Sequence, residues 1–80
     1  MRGQFTKVKV KFYAGHKGEE TPRSVLLDDK EFPIDRILER KKILDQKTGE
    51  VRDDYTIKLE GRIVVLMIFA SGECELVDLS

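Results

Sequence analysis

Histidine and cysteine each occur once in these 80 residues, as His16 and Cys74, and tryptophan and asparagine are absent. A lone cysteine forms no internal disulfide, and with one histidine it cannot supply a structural zinc site. A reducing, cytoplasmic setting is therefore the default expectation. Long apolar runs are also missing. The longest, Ile63 to Ala70, has eight residues, against the ~20 that a membrane-spanning helix needs. No membrane role is expected, and "MRGQFTKVKVKF" has no apolar stretch that would make it a signal peptide. Neither sign of charge dominates, because 15 basic and 15 acidic residues cancel. That balance argues against a dedicated nucleic-acid binder, which carries a positive field. Charged residues make up 38% of the chain and glutamine occurs twice, a composition that leans towards a thermophilic source.

What is present is patterned for β-structure. In "TKVKVKFY", Val8, Val10 and Phe12 alternate with Lys7, Lys9 and Lys11, the period of a half-buried strand. "AGHKGEETP" interrupts with two glycines and a proline, "RSVLL" resumes, and "DDKE" reads as a tight turn. "RDDYTIKL" sets Tyr55, Ile57 and Leu59 on one side. Glu60-Gly61 turns the chain, "RIVVLMIFA" runs back, Ser71-Gly72 turns again, and "ECELVDL" completes a three-stranded meander. No repeat or linker divides the chain, so residues 1–80 read as one domain. At this length burial reaches only about 60% of the unfolded surface, and the margin of stability is narrow.

"EFPIDRILERKKILDQ" is ambiguous. Helical spacing groups Ile34, Ile37, Leu38 and Leu44, and the residues from Asp35 onward are good helix formers. As a strand, Phe32 and Ile34 alternate properly, but Ile37 and Leu38 fall out of step unless a bulge adds one residue.

The segment from Ile63 to Phe69 is apolar on both sides: Ile63, Val65, Met67 and Phe69 on one, Val64, Leu66 and Ile68 on the other. A strand of this kind lies centrally and needs cover on both faces. The cover comes from the 33–45 segment or from a second copy of the chain.

The order "EETPRSV", "EFPIDRILER", "DYTIKL" and "CELVDL" resembles an uncharacterised family of short bacterial cytoplasmic proteins thought to be small β-barrels. The resemblance spans residues 7–79 and rests on patterned hydrophobics. Where that family carries aromatic residues this chain has Lys41 and Cys74. The resemblance implies a strand over 31–40, which is followed for its first half with a helix or irregular turn left open for the second, and it brings no activity or functional residue.

Each candidate for chemistry has a plainer reading. His16, near Glu19 and Glu20, has the residue type of a general base, but no partner orients it and a solvated turn is the simpler account. "GHKG" is too short for a phosphate-cradling loop and lacks the following helix. Ser24 stands outside any nucleophile motif. The adjacent pairs Asp28-Asp29 and Asp53-Asp54 lack calcium-loop spacing, so no metal and no cofactor are expected. Glu73 and Glu75 flank Cys74 and oppose a thiolate. Lys7, Lys9 and Lys11 recur at about 6.7 Å, within the ~8 Å Debye length, and act together on an anionic partner. Arg36, Arg40, Lys41 and Lys42 would extend that patch, with Tyr13 as a stacking residue. A soluble outer face is the alternative.

The sequence thus predicts a mainly β protein, a small antiparallel barrel or rolled sheet of five to six strands, with a short helix or helical turn within 33–45 as an alternative. The expected function is that of a non-enzymatic protein-interaction module, self-associating or binding a protein partner through an outer face of Val64, Leu66 and Ile68. The alternative is a nucleic-acid-binding barrel using the Lys7, Lys9 and Lys11 face. An enzyme centred on His16 is the weakest reading.

Overall fold

The alternation of lysine with valine and phenylalanine in "KVKVKF" builds the first strand of one curled sheet. The computed structural model describes residues 5–14 and 20–78, and none of these is helical. Seven strands follow in chain order: β1 (Phe5–Ala14), β2 (Glu20–Leu27), β3 (Lys30–Pro33), β4 (Arg36–Leu44), β5 (Val51–Leu59), β6 (Arg62–Phe69) and β7 (Cys74–Asp78). All neighbouring strands are antiparallel. Across the sheet they lie in the order β3-β2-β1-β7-β6-β5-β4, strongly curled into a half-barrel.

Two expectations are corrected. Seven strands stand in place of five or six, and residues 33–45 contain no helix. Their middle forms β4, which pairs with β5 from Arg36↔Lys58 to Leu44↔Val51. Ile37 pairs with Ile57 and Glu39 with Thr56, so Leu38 is the extra residue of a bulge. That one insertion removes the mismatch of Ile37 and Leu38 with strand alternation. Pairing along a long neighbour outweighs the helical preference of "DRILERKK", as tertiary context commonly does. β4 is an edge strand, and its Arg40, Lys41 and Lys42 discourage further strands from adding there.

The turns follow local chemistry. Asp28 and Asp29 (φ 51° and 65°) join β2 to β3, and Glu60 and Gly61 (φ 53° and 75°) join β5 to β6. Both two-residue turns need left-handed backbone at each position, the geometry that suits a twisted hairpin. Pro22 is buried inside β2, where register shifts. Lys11 pairs with Ser24 and Phe12 with Pro22, leaving Arg23 as the extra residue. A bulge is where a strand tolerates a residue without an N–H.

Curling creates one interior. Val8, Val25, Tyr55, Ile57, Leu59, Val64, Leu66 and Cys74 form the core, and Val10, Phe32, Ile34, Ile37 and Ile68 pack against it. Each fully buried aliphatic side chain contributes roughly 1.5–3 kcal/mol, so these few residues supply most of the driving force.

β1 holds the two halves together and is staggered. It pairs with β7 over Phe5–Val8 and with β2 over Lys9–Ala14. Beyond Val8 its β7-facing edge has no strand partner among the described residues.

Candidate functional site

The two faces of β6 are exchanged relative to the sequence expectation. Val64 and Leu66 are 4% and 0% exposed and belong to the core, and Ile68 packs against it half-buried. They are therefore not the outer contact face. The outward row is Ile63, Val65, Met67 and Phe69. Ile63 is 45% exposed, and Val65 and Phe69 are half-buried. Met67 and, across from Val65, Val77 are buried but stand outside the core cluster.

The reason is register. The turn at Glu60-Gly61 makes Leu59 pair with Arg62, Ile57 with Val64 and Tyr55 with Leu66. Directly opposed residues share a face, so the apolar side of β5 carries Val64 and Leu66 inward with it. The outward row then faces Arg52, Asp54, Thr56 and Lys58 on β5 and Glu75 on β7. Arg52 Nε donates to Asp54 Oδ1 at 2.9 Å, which locks that flank. The strip is apolar along its middle, with both charge signs at its border.

The lysine strand divides. Lys7, Lys9 and Lys11 are all exposed. Lys11 Nζ lies 3.1 Å from Glu31 Oε1, whereas Lys7 and Lys9 have no ion pair among the described residues. A groove of about 500 Å³ is lined by Lys7, Lys9, Leu26 and Asp28. A second, of about 420 Å³, runs past Lys9, Val10, Phe12, Gly72 and Cys74. Tyr13 is 56% exposed, and the Arg23 guanidinium sits 5.5 Å from its ring centroid. The Arg36, Arg40, Lys41 and Lys42 group lies on β4, across the sheet from β1. Arg40 caps the Tyr55 ring at 5.6 Å and approaches Asp53 Oδ2 at 3.9 Å. Lys41 approaches Glu39 at 3.8 Å.

Ser24 is 1% exposed, and its hydroxyl donates to Glu31 Oε2 at 2.6 Å. That bond, then the one from Lys11, holds the Glu31 carboxyl below the usual glutamate range. Cys74 is buried, and burial pushes its thiol up, away from the thiolate that reactivity requires. Burial likewise raises Tyr55 against the opposing pull of Arg40. Asp53 Oδ1 is buried without a hydrogen-bond partner among the described residues. His16, Gly15, Gly18 and Glu19 lie outside the described residues. Among those described, no group of three or more histidine, cysteine, aspartate or glutamate side chains could hold a metal ion. The pairs Asp28-Asp29 and Asp53-Asp54 serve as a turn and as opposite faces of β5.

Comparison with protein-family models finds no match, and no curated protein or solved structure matches the chain.

Proposed function

We propose that this protein is a small non-enzymatic interaction module that self-associates through the outer face of β6. The observation that supports this reading is the outward row of β6, in which Ile63 is exposed, Val65 and Phe69 are half-buried and Met67 is buried between them. It lies beside Val77 on an interior strand, third from the β4 edge of the sheet. A twofold contact places the same patch against itself, so the patch must complement its own charges. This one has the means: Arg52 and Lys58 on the β5 flank, Asp54 beside them, and Glu75 on the β7 flank. The formal net charge of zero removes long-range repulsion between copies.

Sedimentation velocity over a concentration series tests the reading. A dimer is expected as concentration approaches about 0.5 mM, the range of weak non-obligate association. Ile63→Glu should abolish it without lowering the melting temperature, since Ile63 is already 45% exposed. A wild-type chain that stays monomeric throughout would remove the proposal.

The second reading is a nucleic-acid face built on β1. It is favoured by Tyr13, exposed on the strand that carries Lys7 and Lys9 and faced by Arg23 of β2, an aromatic beside cations of the kind that stacks on bases. It is weakened by Glu31, which already neutralises Lys11. Titration with single-stranded RNA at low salt, repeated with Lys9→Glu, decides it: binding must fall with added salt and with the substitution.

A further inference from the structure

We propose that the cleft where β1 parts from β2 binds a short unblocked peptide, its carboxylate on the lysine wall and its ammonium on the Asp28-Asp29 wall. The site is separate from the β6 face and asks nothing of it. β1 pairs with β2 only from Lys9 onward, at Lys9↔Leu26, while Phe5–Val8 pair with β7. On the Val8 side of Lys9 the two strands therefore diverge, and a groove of about 500 Å³ lies there. Val8 and Leu26 line it, with Lys7 and Lys9 from β1 and Asp28 and Asp29 from the turn between β2 and β3.

The charges decide what fits. Two cations and two anions share the groove, so a purely anionic or purely cationic ligand meets as much repulsion as attraction. None of the four makes an ion pair among the described residues. Glu75, opposite Lys7 on β7, competes for that lysine and leaves Lys9 the better carboxylate seat. Lys30, next in the chain to Asp29, does the same on the other wall and leaves Asp28 the better ammonium seat. Opposite signs on separate elements are complementary to a dipolar ligand, one that carries an ammonium at one end and a carboxylate at the other.

The backbone narrows the class further. The β2-facing side of Phe5–Val8 has no strand partner among the described residues, and N–H and C=O groups on such an edge bond peptide groups. Val8 and Leu26 add apolar contact. A free amino acid carries both charges but no peptide group. A short peptide with an apolar side chain carries all three features.

The test is an NMR titration of the isotope-labelled protein with alanyl-leucyl-alanine at low salt. Saturable amide shifts are expected, centred on residues 7–9 and 26–29. Blocking either end, by N-acetylation or C-terminal amidation, should weaken binding about two- to fivefold, the scale of one exposed ion pair. Lys9→Gln should remove the effect of amidation, and Asp28→Asn the effect of acetylation, because each variant lacks the charge which that end would meet. Both positions are exposed, and asparagine keeps the left-handed backbone that Asp28 adopts (φ 51°), so the melting temperatures should stay near wild type. The proposal is overturned if no saturable shift occurs, if the peptide blocked at both ends binds equally well, or if the shifts fall elsewhere. Equal affinity for free leucine overturns the peptide assignment. A clear fall in melting temperature in both variants overturns it too, since the two walls would then be neutralising each other.

Discussion

Ile34 and Asp35, adjacent in the chain, hydrogen-bond to strands near opposite edges of the sheet. The Ile34 amide donates to the Arg23 carbonyl on β2 at 3.0 Å, and the Asp35 amide donates to the Lys58 carbonyl on β5 at 2.9 Å. Two residues span at most ~7 Å, so β3 and β4, the two edge strands, must approach each other where they join. The sheet curls because of this short link, and the bulges at Arg23 and Leu38 supply the extra bending.

Asp35→Pro removes the donor to Lys58 while leaving the chain length unchanged. Loss of one amide bond with a stranded acceptor costs about 1–3 kcal/mol. Urea denaturation should show a lower midpoint, and Asp35→Ala, which keeps the amide, should stay near wild type.

Glu31 makes stability depend on acid. Its carboxyl is held low by the Ser24 hydroxyl and then by Lys11. A carboxylate with a depressed folded-state pKa stabilises above the unfolded value and loses that contribution as pH falls through the folded one. The melting temperature should therefore drop as pH falls below the ordinary glutamate range, and Glu31→Gln should flatten that drop. Equal slopes for both proteins would show that the carboxyl is not the titrating group.

Cys74 should resist alkylation in the folded protein. The thiol is buried and raised by desolvation, and its Sγ lies 3.7 Å from the Gly72 carbonyl oxygen. Iodoacetamide should label it slowly at neutral pH and rapidly after unfolding in urea. Fast labelling of the native chain would mean that the end of β7 is open to solvent.

Glu60 occupies a left-handed position (φ 53°) ahead of Gly61. Asparagine tolerates that conformation better than glutamate and favours this turn type. Glu60→Asn should raise stability by about 0.5–1 kcal/mol, the usual scale of a relieved turn, measurable as a higher melting temperature.

Much of the sheet is legible in alternation and turns. "KVKVKF", "DYTIKL" and the Asp28-Asp29 and Glu60-Gly61 turns mark five strands and two hairpins. Residues 36–44 are not legible by local preference, since a bulge at Leu38 mimics the loss of strand period and the residues favour helix. Their state is decided by β5 alongside them. The inward face of β6 is legible in principle. A two-residue turn at Glu60-Gly61 carries the parity of Tyr55, Ile57 and Leu59 across to Leu66, Val64 and Arg62. Apolar content alone, equal on both sides of β6, hides that answer. The divided lysine strand is not legible, because Glu31 reaches Lys11 only through the fold.

Everything proposed for the outer surface depends on which side of β6 meets the core. Thermal or urea unfolding of two single variants measures this directly. Leu66→Ala should lose about 2–5 kcal/mol, as fully buried leucines do, whereas Ile63→Ala, on the outward row, should lose under ~1 kcal/mol. Comparable losses, or a larger loss at Ile63, would contradict the account.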